Sequence, residues 1–318
     1  SQIDVLNEDY NRKNPDSVKT PIPFRPLAGS MKIKFELAVA DQNGKLTTGI
    51  IRKYTNKDYF TYDDAVKYDS SGGSNAWNYN NYLNLWTCNL QGLLGYATLP
   101  GTAIHGEDGV VIAYNAFGRV GTLTATYDLG RTATHEVGHW FNLLHVWGSG
   151  SGCGDDDGVT DTPLQDKNTF GCPTFPLIDS CTGAPNGVMY MNYMDYSDDI
   201  CMNIFTKGQV ARMNTALTIA RPSILTSPGT ILSVNDIISE NKINVYPNPN
   251  TGLLFIENSN SVNLSYIIFD ILGNKVLEGK TANQTTTEIK LNNIPSGVYY
   301  IHIHGNGFTQ NKKIIVTN

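Results

Sequence analysis

The chain has 318 residues, 40% of them apolar and 16% charged, with a formal net charge of -6. That composition describes an ordered globular protein long enough for two domains, and it excludes a disordered chain. No block of Lys or Arg stands out and no apolar run reaches the roughly 18 residues of a membrane span, so neither nucleic acid nor a bilayer is an implied partner.

The first residues, SQIDVLNEDYNRKN, place Ile3, Leu6 and Tyr10 on one face of an amphipathic helix. The chain is therefore expected to begin inside a domain, with a segment upstream of it. MKIKFELAVA alternates apolar and polar residues up to an Asn43-Gly44 turn, and with KLTTGIIRKY it predicts a hairpin. Strands are predicted in YLNLWTCNL and GVVIAYNAF. GRTATHEVGHWFNLLH then shifts to helical spacing, with Val137, Trp140, Phe141 and Leu144 as its apolar positions. Residues 148–185 are dense in Gly, Asp, Pro and Cys, an irregular segment that needs disulfides or ions to hold it. Cys153, Cys172, Cys181 and Cys201 cluster around it without any C-x-x-C pair, which reads as two disulfides in an exported protein; Cys88 reads as a buried free thiol. TKGQVARMNTALTIA predicts a last helix. After a linker at 226–242, residues 243–318 are short alternating strands between Pro, Gly and Asn turns, the pattern of a β-sandwich. The predicted organisation is an α+β domain over 1–225 and an all-β domain over 243–318.

The chemistry lies in His135-Glu136-x-x-His139. On a helix, residues four apart share a face, so both imidazoles can reach one ion. Neutral imidazole is a zinc ligand, and the adjacent Glu136 can act as general base towards a metal-bound water. His145 follows six residues after His139, too far along if the helix continued. The chain must turn near Asn142, a residue type that tolerates the left-handed conformation.

HEVGHWFNLLH resembles the long zinc signature of the metzincins, HExxHxxGxxH, with Asn142 where most members have Gly. VMYMNYMDYSDD resembles their Met-turn, which implies Met194 beneath the zinc and Tyr196 as a hydrogen-bond donor to the tetrahedral oxyanion, against a plain packing role. GRTATHEVGHW, CGDDDGVTDTP and NYMDYSDDICMNIFTKGQVARM are similar to the pappalysin family and its ulilysin-like bacterial enzymes, over roughly residues 1–222. The resemblance implies a metzincin-like catalytic domain with a mixed twisted sheet and a zinc helix, lacking at its front a strand and part of a helix that the family normally has. It also implies Cys153 paired with Cys181, Cys172 paired with Cys201, and an extended peptide or protein substrate along an edge strand at Gly109, Val110, Val111 and Ile112.

Three finer expectations follow. The Asp155-Asp156-Asp157-Gly158 loop with Asp161 offers hard oxygen ligands, and the resemblance suggests calcium through Asp157 and Asp161; the alternative is a solvated acidic turn. The resemblance implies that the segment after the Met-turn walls the pocket for the residue following the cleaved bond, so Asp198 or Asp199 could form its base and favour a basic residue, with Asp199 preferred; both could instead face solvent or bind calcium. VYPNPNTG, IIFDILGNKV and IPSGVYYIHI resemble the type A sorting domain of the type IX secretion system, an immunoglobulin-like sandwich, which implies export by that machinery and an extracellular or cell-surface location on a Gram-negative bacterium. A monomeric zinc endopeptidase is the reading reached. Its rivals are a non-catalytic surface or adhesion protein with structural zinc, and a metallohydrolase acting on something other than peptides.

Overall fold

The computed structural model describes all residues except 103, 105, 230–242, 259–262, 272, 282–283, 293, 306–307 and 318. The chain divides into two compact units, Ser1–Ile231 and Leu232–Asn318. Of the expected linker, residues 230–242 lie outside the described part.

In the first unit, helix α1 (Gln2–Tyr10) buries Val5, Leu6 and Tyr10, and Leu6 and Tyr10 share a core with Val137 and Trp140 of helix α2 (Arg131–Trp140) and with Tyr193 and Met194 of the methionine loop, residues 188–202. Strands β1 (Leu85–Cys88), β2 (Gly95–Ala97) and β3 (Val110–Ala113) form a mixed sheet of order β1-β3-β2, with β1 parallel and β2 antiparallel to β3. Helix α3 (Lys207–Ile219) starts at a capping box in which Thr206 and Gln209 satisfy each other's backbone amides. Between α2 and α3 no helix or strand forms in the described residues of 148–185, and the disulfides Cys153–Cys181 and Cys172–Cys201 close that region as expected. Cys88 is a free, half-buried thiol.

Two expectations need correction. The hairpin of residues 31–53 is confined to its tip: Gly44 takes φ +77°, Thr47 bonds to Val39, and a single bridge joins Ala40 to Leu46. The alternation of MKIKFELAVA is real, but its partner is a helix. The Asn7 carboxamide accepts from the Phe35 amide and donates to its carbonyl, both at 2.8 Å, while Asn11 donates to the Ile33 carbonyl at 2.6 Å, so side chains of α1 saturate backbone that another strand would have paired. The second correction concerns Gly109, Val110, Val111 and Ile112. β3 is the central strand, fully buried and paired on both sides, so its backbone has no free edge; the edge strands among the described residues are β1, parallel to it, and β2, antiparallel to it.

The second unit is an all-β sandwich. A four-stranded sheet, β10 (Phe308–Val316), β9 (Gly297–Gly305), β6 (Ser265–Phe269) and β7 (Lys275–Lys280), accompanies a three-stranded sheet of β4 (Ile243–Tyr246), β5 (Leu253–Asn258) and β8 (Thr286–Lys290). All pairings are antiparallel, and alternate residues such as Leu254, Ile256, Ile268, Ile301, Ile303 and Ile314 fill the core. The seven strands among the described residues form the β-sandwich that the alternation and turn spacing predict.

Candidate active site

Helix α2 ends where the third histidine needs it to. Asn142 adopts φ +74°, its amide bonding to the His139 carbonyl at 2.8 Å and the next amide, of Leu143, to Gly138 at 2.9 Å. That left-handed residue reverses the chain, so Leu143, not the expected Leu144, enters the core. Arg212 of α3 holds the reversal by donating to the Asn142 carbonyl at 2.6 Å and to the Asp157 carbonyl at 2.6 Å.

The reversal brings His145 back to the helix. Nε2 of His139 lies 3.0 Å from Nε2 of His135 and 3.0 Å from Nε2 of His145. Nδ1 of His135 faces the Tyr193 carbonyl at 2.7 Å, and Nδ1 of His139 faces the Leu143 carbonyl at 2.8 Å. A carbonyl only accepts, so these Nδ1 atoms carry the protons and the Nε2 lone pairs face one another. Three converging lone pairs repel unless a cation lies between them, which is the arrangement a zinc ligand set requires. Burial lowers all three imidazoles, joined for His135 and His145 by repulsion from their histidine neighbours, with His145 pushed down to about 3. Among the described residues the cluster contains these three metal-binding side chains and no fourth.

Beneath it lies Met194, fully buried. A Cβ at Gly138 would sit 2.5 Å from the Met194 sulfur, so the glycine between the helical histidines is what lets the thioether approach. The methionine loop is tied to α3 by a reciprocal amide pair, Asn192 with Gln209, at 2.9 and 3.0 Å, and Asn192 also accepts from the Met194 amide at 2.9 Å. On the other side, Arg131 at the start of α2 is buried between Asp9, Asp16 and the Tyr193 hydroxyl, and Asp9 also accepts from Thr134 at 2.7 Å. The residue whose carbonyl holds His135 is thus itself held by α1. Asp9, Arg131 and Asn192 make these contacts across long stretches of chain that no local pattern announces, whereas Gln209 is legible as the third residue of the Thr206 capping box.

Glu136 is buried, and burial pushes its carboxyl up to about 8. Its side chain packs on the edge strand β2: a Cβ at Gly95 would lie 2.8 Å from Glu136 Cγ and 3.0 Å from Oε1. Tyr196 is 38% exposed, with its ring 5.5 Å from that of His135 and 5.0 Å from that of His145.

The remaining expected residues are carboxylates. Asp199 is buried, and its Oδ2 accepts from the Leu129 and Arg131 amides at 2.9 and 3.1 Å, at the N-terminus of α2. Asp157 is buried; one carboxylate oxygen accepts from the Val159 amide and the Thr162 hydroxyl, while the other has no partner among the described residues. Asp161 likewise spends one oxygen on the Gly208 amide, at 2.9 Å, and leaves a buried oxygen without a partner. Two orphaned carboxylate oxygens in one loop fit a hard cation such as calcium.

Residues 66–218 match the peptidase M43 family, described as pregnancy-associated plasma protein-A, and residues 244–317 match the secretion system C-terminal sorting domain. Mature mirolysin of Tannerella forsythia, solved in complex with a cleaved peptide, is 50% identical with a TM-score of 0.69, over 70% of this chain and 86% of that one. A mutant of promirolysin from the same organism is also 50% identical, with a TM-score of 0.68, over 70% and 75% of the two chains. An extracellular metalloprotease of Verticillium alfalfae is 45% identical over 130 residues, 40% of this chain and 46% of its own length. The corresponding protein of Arthroderma otae is 50% identical over 93 residues, 29% and 33% of the two lengths. The chain spans less than half the length of these last two relatives. The histidine cluster and the methionine loop both fall inside the matched residues, and by its identity to mirolysin across most of that protein the chain belongs to the pappalysin family of metallopeptidases.

Proposed function

We propose that this chain is an exported zinc endopeptidase that hydrolyses internal peptide bonds of protein or peptide substrates, preferring a basic residue after the scissile bond. The observation that carries the reading is the convergence of three Nε2 lone pairs beside a buried carboxylate, with no fourth protein ligand among the described residues. A structural zinc site would close its fourth position with a protein side chain, which speaks against the adhesion alternative.

Zinc held by His135, His139 and His145 supplies, when bound, a Lewis acid and an acidified water. Glu136, as the carboxylate, takes the proton of the attacking water and returns it to the leaving amine, and its buried place next to the histidine cluster keeps that proton from bulk water between the two halves of the transfer. Tyr196 donates its hydroxyl to the oxyanion that forms as the carbonyl carbon becomes tetrahedral. The substrate backbone extends along β2, whose outer edge has no strand partner among the described residues, and Gly95 leaves it room against Glu136. Asp199 forms the base of the pocket for the residue after the cut. Its carboxylate is fixed by two amides and pushed up to about 6 by burial, which outweighs the pull of the nearby Arg131 charge; an entering guanidinium would add a second cation through two parallel hydrogen bonds, which an ammonium cannot match. Calcium bound through Asp157 and Asp161 steadies the loop after the zinc ligands. The C-terminal sandwich directs export through a type IX system of a Gram-negative bacterium, and the catalytic chain works as a monomer outside the cell.

Purified wild type and Glu136→Ala are compared for zinc content and for cleavage of a denatured-protein library. The variant should keep about one zinc and lose at least 100-fold in rate; equal rates would overturn the assignment. Cleavage profiling of Asp199→Ala tests the pocket, and an unchanged profile would remove Asp199 from it.

A further inference from the structure

His145 differs from the other two histidines of the cluster. His135 and His139 have their ring planes set by hydrogen bonds from Nδ1 to the Tyr193 and Leu143 carbonyls, whereas Nδ1 of His145 has no partner among the described residues. Nor does a helix hold it, since it follows the reversal at Asn142. What lies on its ring is Trp147. The two ring centroids are 4.3 Å apart and the planes differ by 8°, a parallel stack, and the indole is buried in the core that also holds Met194 and Phe141. Tyr196 stands on the indole at 71° with centroids 4.8 Å apart, and meets His145 at 74°.

We infer that Trp147 is a positioning residue for the third metal ligand, setting by stacking the ring plane that hydrogen bonds set for the other two. Groups outside the ligand shell that orient a ligating imidazole change metal affinity by about 10-fold to 100-fold when lost. A stack restrains rotation of the ring about its Cβ–Cγ bond while leaving Nδ1 unengaged, so its loss should loosen His145 alone. Because Tyr196 leans on the same indole, the ring also links ligand geometry to the hydroxyl proposed for oxyanion binding. The inference rests on the zinc reading above, and its test separates the two.

Metal-free wild type, Trp147→Phe and Trp147→Met are titrated with zinc against a chelator of known affinity, loaded with cobalt(II) for visible absorption, and unfolded in urea without metal. Methionine keeps bulk and apolar character without a ring plane; phenylalanine keeps a plane. Trp147→Met should lose about 10-fold or more in zinc affinity and shift the cobalt(II) bands, with Trp147→Phe within about threefold of wild type. Wild type that takes up no zinc would overturn the functional reading and this one together. Trp147→Met with wild-type affinity and cobalt(II) bands would overturn only this one. If Trp147→Met does not fold, Trp147→Leu, which also lacks a ring plane, takes its place: a 10-fold loss with Trp147→Phe near wild type supports the stack, and wild-type affinity and bands in Trp147→Leu, or an equal loss in Trp147→Phe, refute it.

Discussion

Gly95→Ala isolates the geometry of the proposed base without touching a charge or a ligand. A Cβ there would lie 2.8 Å from Glu136 Cγ, 3.0 Å from Glu136 Oε1 and 3.0 Å from the Val111 carbonyl oxygen. Nonbonded carbon atoms prefer roughly 3.5–4.0 Å, so about 1 Å must be found. The Val111 side cannot give, because that carbonyl belongs to the central strand, whose residues are wholly buried and paired on both sides. The displacement therefore falls on the Glu136 side chain or on the short edge strand that the substrate would follow. A misplacement of about 1 Å in a catalytic arrangement can cost about 100-fold, or about 2.7 kcal/mol of barrier. The assay is steady-state hydrolysis of a fluorogenic peptide together with bound-zinc determination. Zinc should remain at the wild-type level, since Gly95 contacts no histidine among its nearest neighbours, while kcat/KM falls by about two orders of magnitude. Wild-type kcat/KM in a zinc-loaded Gly95→Ala protein would refute the close packing of β2 on the base.

Three other perturbations report on the support of the site. Asn142→Gly should keep zinc affinity and stability close to wild type, whereas Asn142→Val, β-branched at φ +74°, should destabilise by at least about 1–2 kcal/mol in urea and weaken zinc binding; identical midpoints for the two would contradict the proposed role of the reversal. Asp9→Ala leaves buried Arg131 without its innermost partner, and a loss of about 3–5 kcal/mol is expected; a loss below about 1 kcal/mol would show that Asp16 alone satisfies the guanidinium. Burial raises Asp157 from 3.8 to about 6, above its unfolded value, so without a cation its protonated form favours the native state and that contribution is lost as pH rises through about 6. Calcium binds the ionised form, so the increase in Tm on adding calcium to zinc-loaded protein should be larger at about pH 7.5 than at about pH 5; equal increases would exclude Asp157 as a ligand.

The helices, the histidine cluster and the division into two units were legible because each is a short-range pattern. The spacing of His135 and His139 is one helical turn, the alternation after residue 243 has period two, and Asn142 announces its own backbone conformation. The resemblance supplied the disulfide pairing, which spacing alone left open. The tertiary structure decided what no local pattern encodes. Residues 31–38 alternate like a strand, yet Asn7 and Asn11 of α1 take their backbone, and only proximity in space could show that. GVVIAY reads equally as an edge or a central strand, and β3 is central because β2, only three residues long and carrying two small ones, comes to lie outside it. Asp199 is drawn to the amides opening α2, some 70 residues earlier in the chain, a contact visible only once the helix and the loop after Met194 share one side of the molecule. The same distance hides Trp147: its two-residue spacing from His145 predicts nothing until the reversal at Asn142 has turned both rings into one stack.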